Sequence, residues 1–155
     1  MATNTAMQRD IGAYVKLAVG VAPVRLTAGG SGDNVDQAGT AINRDGYLSA
    51  LVGLSVSASL ASGQKITASV RVQDSADGLT GWTDFLGDDA AIPTPVELLY
   101  ANMAAGQLQL YPINLSAART YVRVVAKGDL SAGSTDTAIL AAQIVLGGAH
   151  TYPAV

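Results

Sequence analysis

The stretch Lys65-Ile66-Thr67-Ala68-Ser69-Val70-Arg71-Val72-Gln73 decides the fold. Ile66, Ala68, Val70 and Val72 fall at every second position, with charged, hydroxyl or amide side chains between them. A strand points successive side chains to opposite faces, so this pattern predicts a strand with one face in a core and one in water. Immediately upstream, Leu48, Ala50, Val52, Leu54, Val56 and Ala58 alternate in the same way, with Ser49, Ser55, Ser57 and Ser59 among the intervening residues. Leu51 and Gly53 interrupt that polar side, which predicts partial cover on both faces there. Ala61-Ser62-Gly63-Gln64 separates the two runs as a short glycine-containing turn, so together they predict a β-hairpin.

Outward from the hairpin the same chemistry continues. Extended segments are predicted at 13–19 and 23–27. Residues 28–46 hold five Gly, three Asp and two Asn and predict a long loop; loops of this length are commonly functional or mobile. Gln73-Asp74-Ser75-Ala76-Asp77-Gly78 is a turn cluster ending in a dipeptide that tolerates positive φ. Further strands are expected at 82–85, 96–101, 107–113 and 120–127, with a proline-bearing loop at 88–95 and a polar turn at 128–136. In 120–127, Tyr121, Arg123 and Val125 face one way, and Val122, Val124 and Ala126 the other. The run 137–147 is almost continuously apolar, and we assign it to a central or interface strand.

Seven to nine strands with frequent turns describe an all-β, single-domain antiparallel β-sandwich or β-barrel with long loops and extended termini. The expected organisation is a flexible arm at 1–12, a β domain at 13–147 containing the loop 28–46, and a tail at 148–155.

Composition supports strands over helices. Glu97 is the only glutamate, and lysine occurs only at Lys16, Lys65 and Lys127, so the usual solvent-facing helix formers are scarce. The net charge of −3 gives no basic footprint for nucleic acid, and no polybasic segment suits an anionic membrane. The first ten residues lack the apolar stretch of a signal peptide, and no apolar run reaches the roughly 18–20 residues that span a bilayer. Only 14% of residues are charged, against about 25% in typical soluble domains. Buried contact surface accounts for part of that deficit, which predicts an oligomer.

Cysteine is absent, which removes thiol catalysis, zinc–thiolate sites and disulfides. His150 is the sole histidine and lies in the tail, a poor place for preorganised catalytic geometry. Asp74, Asp77, Asp84, Asp88 and Asp89 are the one carboxylate group that suits a hard cation such as calcium, but their spacing is not that of a calcium loop. Turn chemistry explains them more simply. Gly29-Gly30-Ser31-Gly32 has no following Lys-Ser/Thr and reads as a flexible linker rather than a phosphate cradle. Trp82 and Phe85, the only Trp and the only Phe, are expected to plug the core beside the Asp77-Gly78 turn. Arg71, Arg119 and Arg123 are expected on strands, making cross-strand or intersubunit ion pairs. No catalytic, cofactor-binding or metal-ligating residue is assigned, and no enzyme activity is expected.

Val72-Gln73-Asp74-Ser75-Ala76-Asp77-Gly78, then Trp82-Thr83-Asp84-Phe85, then Tyr121-Val122-Arg123-Val124 resemble small structural proteins encoded among the head genes of tailed bacteriophages. Asn43-Arg44-Asp45-Gly46-Tyr47, leading into Ser49-Ala50-Leu51-Val52, resembles that group too, so the likeness spans roughly residues 40–128. It implies a virion structural protein: a capsid decoration (cement) protein on the capsid exterior, made in the host cytoplasm. Its implied partners are the major capsid protein and further copies of itself, a trimer first and a dimer second, with neither nucleic acid nor membrane. A tail or head–tail connector component is the alternative within the virion. A carbohydrate-binding β module is the alternative of another class.

Overall fold

The computed structural model describes residues 11–85, 96–99, 107–131 and 135–149, of which 13, 96–99 and 107–109 are described by their backbone alone. His150, Asp88 and Asp89 lie outside the described residues, as do nearly all of the expected arm and tail.

The chain forms two antiparallel sheets packed face to face, a β-sandwich. The strands are β1 (Lys16–Thr27), β2 (Gln37–Ala38), β3 (Ile42–Asn43), β4 (Ser49–Ser59), β5 (Lys65–Ser75), β6 (Thr83–Asp84), β7 (Val96–Leu99), β8 (Gln107–Asn114), β9 (Tyr121–Leu130) and β10 (Thr137–Gly147). The first sheet, called A below, has the order β1-β10-β4-β8. The second, sheet B, is built on β9 paired with β5; β2 and β3 share the free side of β9, and β6 and β7 share the free side of β5. The predicted hairpin strands β4 and β5 therefore do not pair. Their connection carries the chain from one sheet to the other, and each strand pairs with others. Alternation fixes which face of a strand is buried but not which strand lies beside it.

The core lies between the sheets. Ala50, Val52, Leu54 and Val56 of β4 and Leu140, Ile144 and Leu146 of β10 face Ile66, Val70 and Val72 of β5 and Val122 and Val124 of β9. Each of these is buried to within a few per cent, and each fully buried Val, Leu or Ile contributes roughly 1.5–3 kcal/mol of transfer free energy.

Three sequence expectations are corrected. The segments at 13–19 and 23–27 are parts of one strand, β1, whose register against β10 shifts between Val19 and Val21 and again between Val21 and Val24. Bulges and Pro23 suit β1 because it is an edge strand, with a neighbouring strand on one side only. Next, 28–46 is not one open loop. It lays β2 and β3 along β9 and is tied down elsewhere: Asn34 N–H donates to the Gly128 carbonyl, Gly39 N–H donates to the Val124 carbonyl, and the Asp33 carboxylate accepts from Gly29 N–H and Leu130 N–H. The expected linker 29–32 is accordingly a pinned turn. Lastly, β10 is central as expected, but it is buried on one face only. Leu140, Ala142, Ile144 and Leu146 point inward, while Ile139 is 53% exposed on the other side.

Candidate functional site

The motif that carries the family resemblance folds into one polar corner at the end of β5. Continuing the alternation from Ile66 points Asp74 inward, so a carboxylate is buried at the strand's last turn. Such burial is costly unless the charge is paired and hydrogen-bonded. Arg119, in the turn before β9, supplies both. Its Nη2 and Nε lie 2.6 and 3.0 Å from Asp74 Oδ1, and its backbone N–H donates to Oδ2 at 2.9 Å. The Thr83 hydroxyl adds a bond to Oδ1 at 3.2 Å. Burial pushes the Asp74 carboxyl up, but the Arg119 guanidinium and N–H together with Thr83 outweigh it and hold the group below its ordinary range.

Next along the chain, Ser75 is fully buried, and its Oγ accepts from the N–H groups of Asp77 and Gly78. Asp77 closes the turn by accepting from the N–H groups of Thr80 at 2.8 Å and Leu79 at 2.9 Å, and from the Thr80 hydroxyl at 2.7 Å. These donors hold the Asp77 carboxyl far below the usual carboxylate range. Gly78 adopts φ +73°, and a Cβ there would lie 2.9 Å from the Tyr121 ring, so both turn geometry and space require glycine.

On the outer side of sheet B, Gln73 bridges Arg123 and Asp84. Its Oε1 accepts from Arg123 Nε and Nη2 at 2.9 and 2.7 Å, and its Nε2 donates to Asp84 Oδ1 at 2.8 Å. Arg71 pairs with Asp36 at 2.5 Å and with Asp84 at 3.1 Å; the Arg71 guanidinium holds the Asp36 carboxyl below its ordinary value. The Arg123 guanidinium stacks 4.4 Å from the centroid of Trp82.

Gln73, Asp74, Ser75, Asp77, Thr83, Asp84 and Arg123 thus each engage another part of the corner. Asp74, Asp77 and Asp84 each accept from protein donors, and among the described residues no group of three or more His, Asp or Glu is placed to hold a metal ion. Of the three arginines, Arg71 makes the expected cross-strand ion pair, Arg119 pairs from a turn rather than a strand, and Arg123 binds a neutral amide and an indole. Trp82 is corrected: it is half-buried beneath Arg123 on the outer side of sheet B, while Phe85 packs against the core. The carbohydrate reading needs an open aromatic face, and Arg123 occupies one face of this ring.

The second feature is a contrast between the two outer faces. Sheet B presents Lys65, Arg71, Arg123, Lys127 and Asp129 on β5 and β9. Sheet A does not. Register places Leu17, Val145, Leu51 and Pro112 in one row across its four strands. The next row is Val19, Gln143, Gly53 and Leu110, and further along Ile139 stands between Arg25 and Ser57. Leu17 is 68% exposed, Val19 61% and Leu110 50%. Among the described residues that share this face, Arg25 is the single charged one. Sequence reasoning missed the face because large apolar residues occupy both sides of β1 and β10, so alternation does not mark which side is buried.

No family model and no curated protein matches the chain. Similar solved structures include a CBM4 structure (TM-score 0.44, 14% identity, covering 85% of this chain and 81% of that one). Infectious bursal disease virus contributes two more: the Gx strain structure (TM-score 0.40, 14% identity, 91% of this chain and 35% of that one) and the VP2 subviral particle (TM-score 0.40, 15% identity, 90% and 34%). The chain spans about a third of the length of those viral chains. Likenesses this distant assign no function.

Proposed function

We propose that the chain is a virion structural protein, a capsid decoration (cement) protein that binds the outer surface of a major capsid protein lattice as a homo-oligomer and has no catalytic role. The observation that carries this reading is the outer face of sheet A, with exposed Leu17, Val19, Leu51, Leu110 and Ile139 and a single charge at Arg25 among its described residues, set against a sheet B whose motif carboxylates and arginines already have partners within the corner. Monomeric soluble proteins rarely expose contiguous apolar patches beyond a few hundred Å². Such a face is contact surface. The Gln73–Gly78, Trp82–Phe85 and Tyr121–Val124 resemblance supplies the kind of contact, and the closed corner those residues form supports a role in shaping a rigid body.

Decoration would work by mass action. A protein that binds the expanded shell and not its precursor stabilises the expanded state by its differential affinity, and repeated lattice sites add avidity. Co-sedimentation with empty shells before and after expansion tests this. Saturable binding to expanded shells alone is the expected result. Protein that stays in the supernatant with both forms removes the reading.

A further inference from the structure

We infer that the outer face of sheet A is where two copies of this chain pack against each other, sheet on sheet. This deepens the oligomer part of the reading above and needs nothing of its capsid part.

Size is the first argument. Strands spaced about 4.8 Å apart and rising about 3.3 Å per residue make a face of roughly 19 by 36 Å from four strands of up to about eleven residues, or about 700 Å². A stable standard-size interface takes about 800 Å² from each partner, and side-chain relief adds to a planar footprint. The face therefore matches one partner's share of a dimer.

Charge is the second. A partner with a strongly charged surface finds little here to pair with, since among the described residues the face carries no carboxylate and, as its one cation, Arg25. An identical face leaves no charge buried at its centre unpaired. Arg25 stands on the edge strand near its end, so in a face-to-face pair it falls at the rim, where water keeps it solvated.

Relief is the third. Tall side chains at Leu17, Leu51, Leu110 and Ile139 share the face with low ones at Gly53 and Ser57. Two sheets about 10 Å apart need that mixture to interdigitate. A two-fold axis lets a single surface serve both copies, each supplying both tall and low positions.

Sedimentation velocity on the full chain reads the outcome. Wild type is expected at twice the 15.7 kDa chain mass, and Leu51→Asp/Ile139→Asp at one chain mass with an unchanged far-ultraviolet circular dichroism spectrum. Should the double variant fail to fold, Ser57→Arg replaces it, because Ser57 is already exposed and its substitution leaves the core intact. Wild type at one chain mass overturns the inference, whether the face is covered by another part of the chain or by another molecule. So does an unchanged mass in the folded variant. A two-chain protein that binds no shell keeps this interface and removes the capsid reading.

Discussion

The Arg119 backbone N–H and guanidinium both donate to the carboxylate of Asp74, joining the turn before β9 to the end of β5 across 45 residues of chain. Asp74 is buried, whereas the Arg119 side chain is 38% exposed. The two partners are therefore unequal. Removing the carboxylate orphans a part-buried backbone N–H, worth about 1–3 kcal/mol when left unsatisfied, and ends the charged hydrogen bonds made to it, while the guanidinium and the exposed Thr83 hydroxyl rehydrate. Asp74→Ala is expected to destabilise the protein by about 2–4 kcal/mol, and Arg119→Lys by less, since it keeps the backbone donor. Urea unfolding monitored by circular dichroism measures both. Equal losses would show that the guanidinium, not the N–H, is the main partner.

Acid should unfold the protein through the same groups. Asp36, Asp74 and Asp77 all have folded-state values below the ordinary carboxylate range. A depressed group adds stability that is fully present above its unfolded value of about 3.9 and is lost as pH falls toward the folded value. Urea midpoints are therefore expected to stay level from pH 7 to about pH 5 and to fall steeply below about pH 4. Asp74→Ala should show a shallower fall, because one of the three linked groups is gone. A wild-type midpoint unchanged from pH 7 to pH 3 would contradict this.

How much of this was legible in the sequence depends on the range of the interaction. The strand at Lys65–Ser75 is legible almost to its ends, because alternation is local and its two faces differ in polarity. The division of β9 into two opposite-facing sets is legible for the same reason. The β4–β5 pairing is not, since neighbours in a sheet are chosen by the whole fold. The sequence places Gly128 in a turn, yet it lies within β9, where a Cβ would come 2.5 Å from Leu26 Cδ1. A glycine kept for space looks the same in sequence as one kept for a turn. In the motif corner the residues are legible as a cluster, but the Asp74–Arg119 partnership is not, and the charge-poor face of sheet A emerges only once register aligns four strands.

The crossing of Gly39 over β1 should tolerate no side chain. A Cβ on Gly39 would overlap the Gly20 carbonyl oxygen, and Gly39 N–H is already bonded to the Val124 carbonyl. Backbone lies on both sides, so relief requires the segment 28–46 to move off sheet B. Gly39→Ala is expected to cost at least about 3 kcal/mol, in the range of severe overpacking. The expected readout is a large drop in urea midpoint, with faster hydrogen exchange in β2 than in β10. A midpoint near wild type would mean that the loop does not cross β1 so closely in solution.

Trp82 is the chain's single tryptophan, so its fluorescence reports one place. Arg123 covers a face of the indole while bonding Gln73. Cation–π contacts at partly exposed sites are worth about 0.5–1 kcal/mol, so Arg123→Ala should change stability by about 1 kcal/mol and leave the fold intact. Its optical effect should be larger. Uncovering the ring lets water and small quenchers reach it, which predicts a red-shifted emission maximum and a steeper acrylamide quenching slope than wild type. Arg71→Ala breaks the neighbouring pairs with Asp36 and Asp84 but leaves the Arg123 stack in place. It should move neither observable much. If Arg71→Ala shifted the emission as far as Arg123→Ala, the indole would be reporting general loosening of sheet B's outer face, and the specific stack would not be its shield.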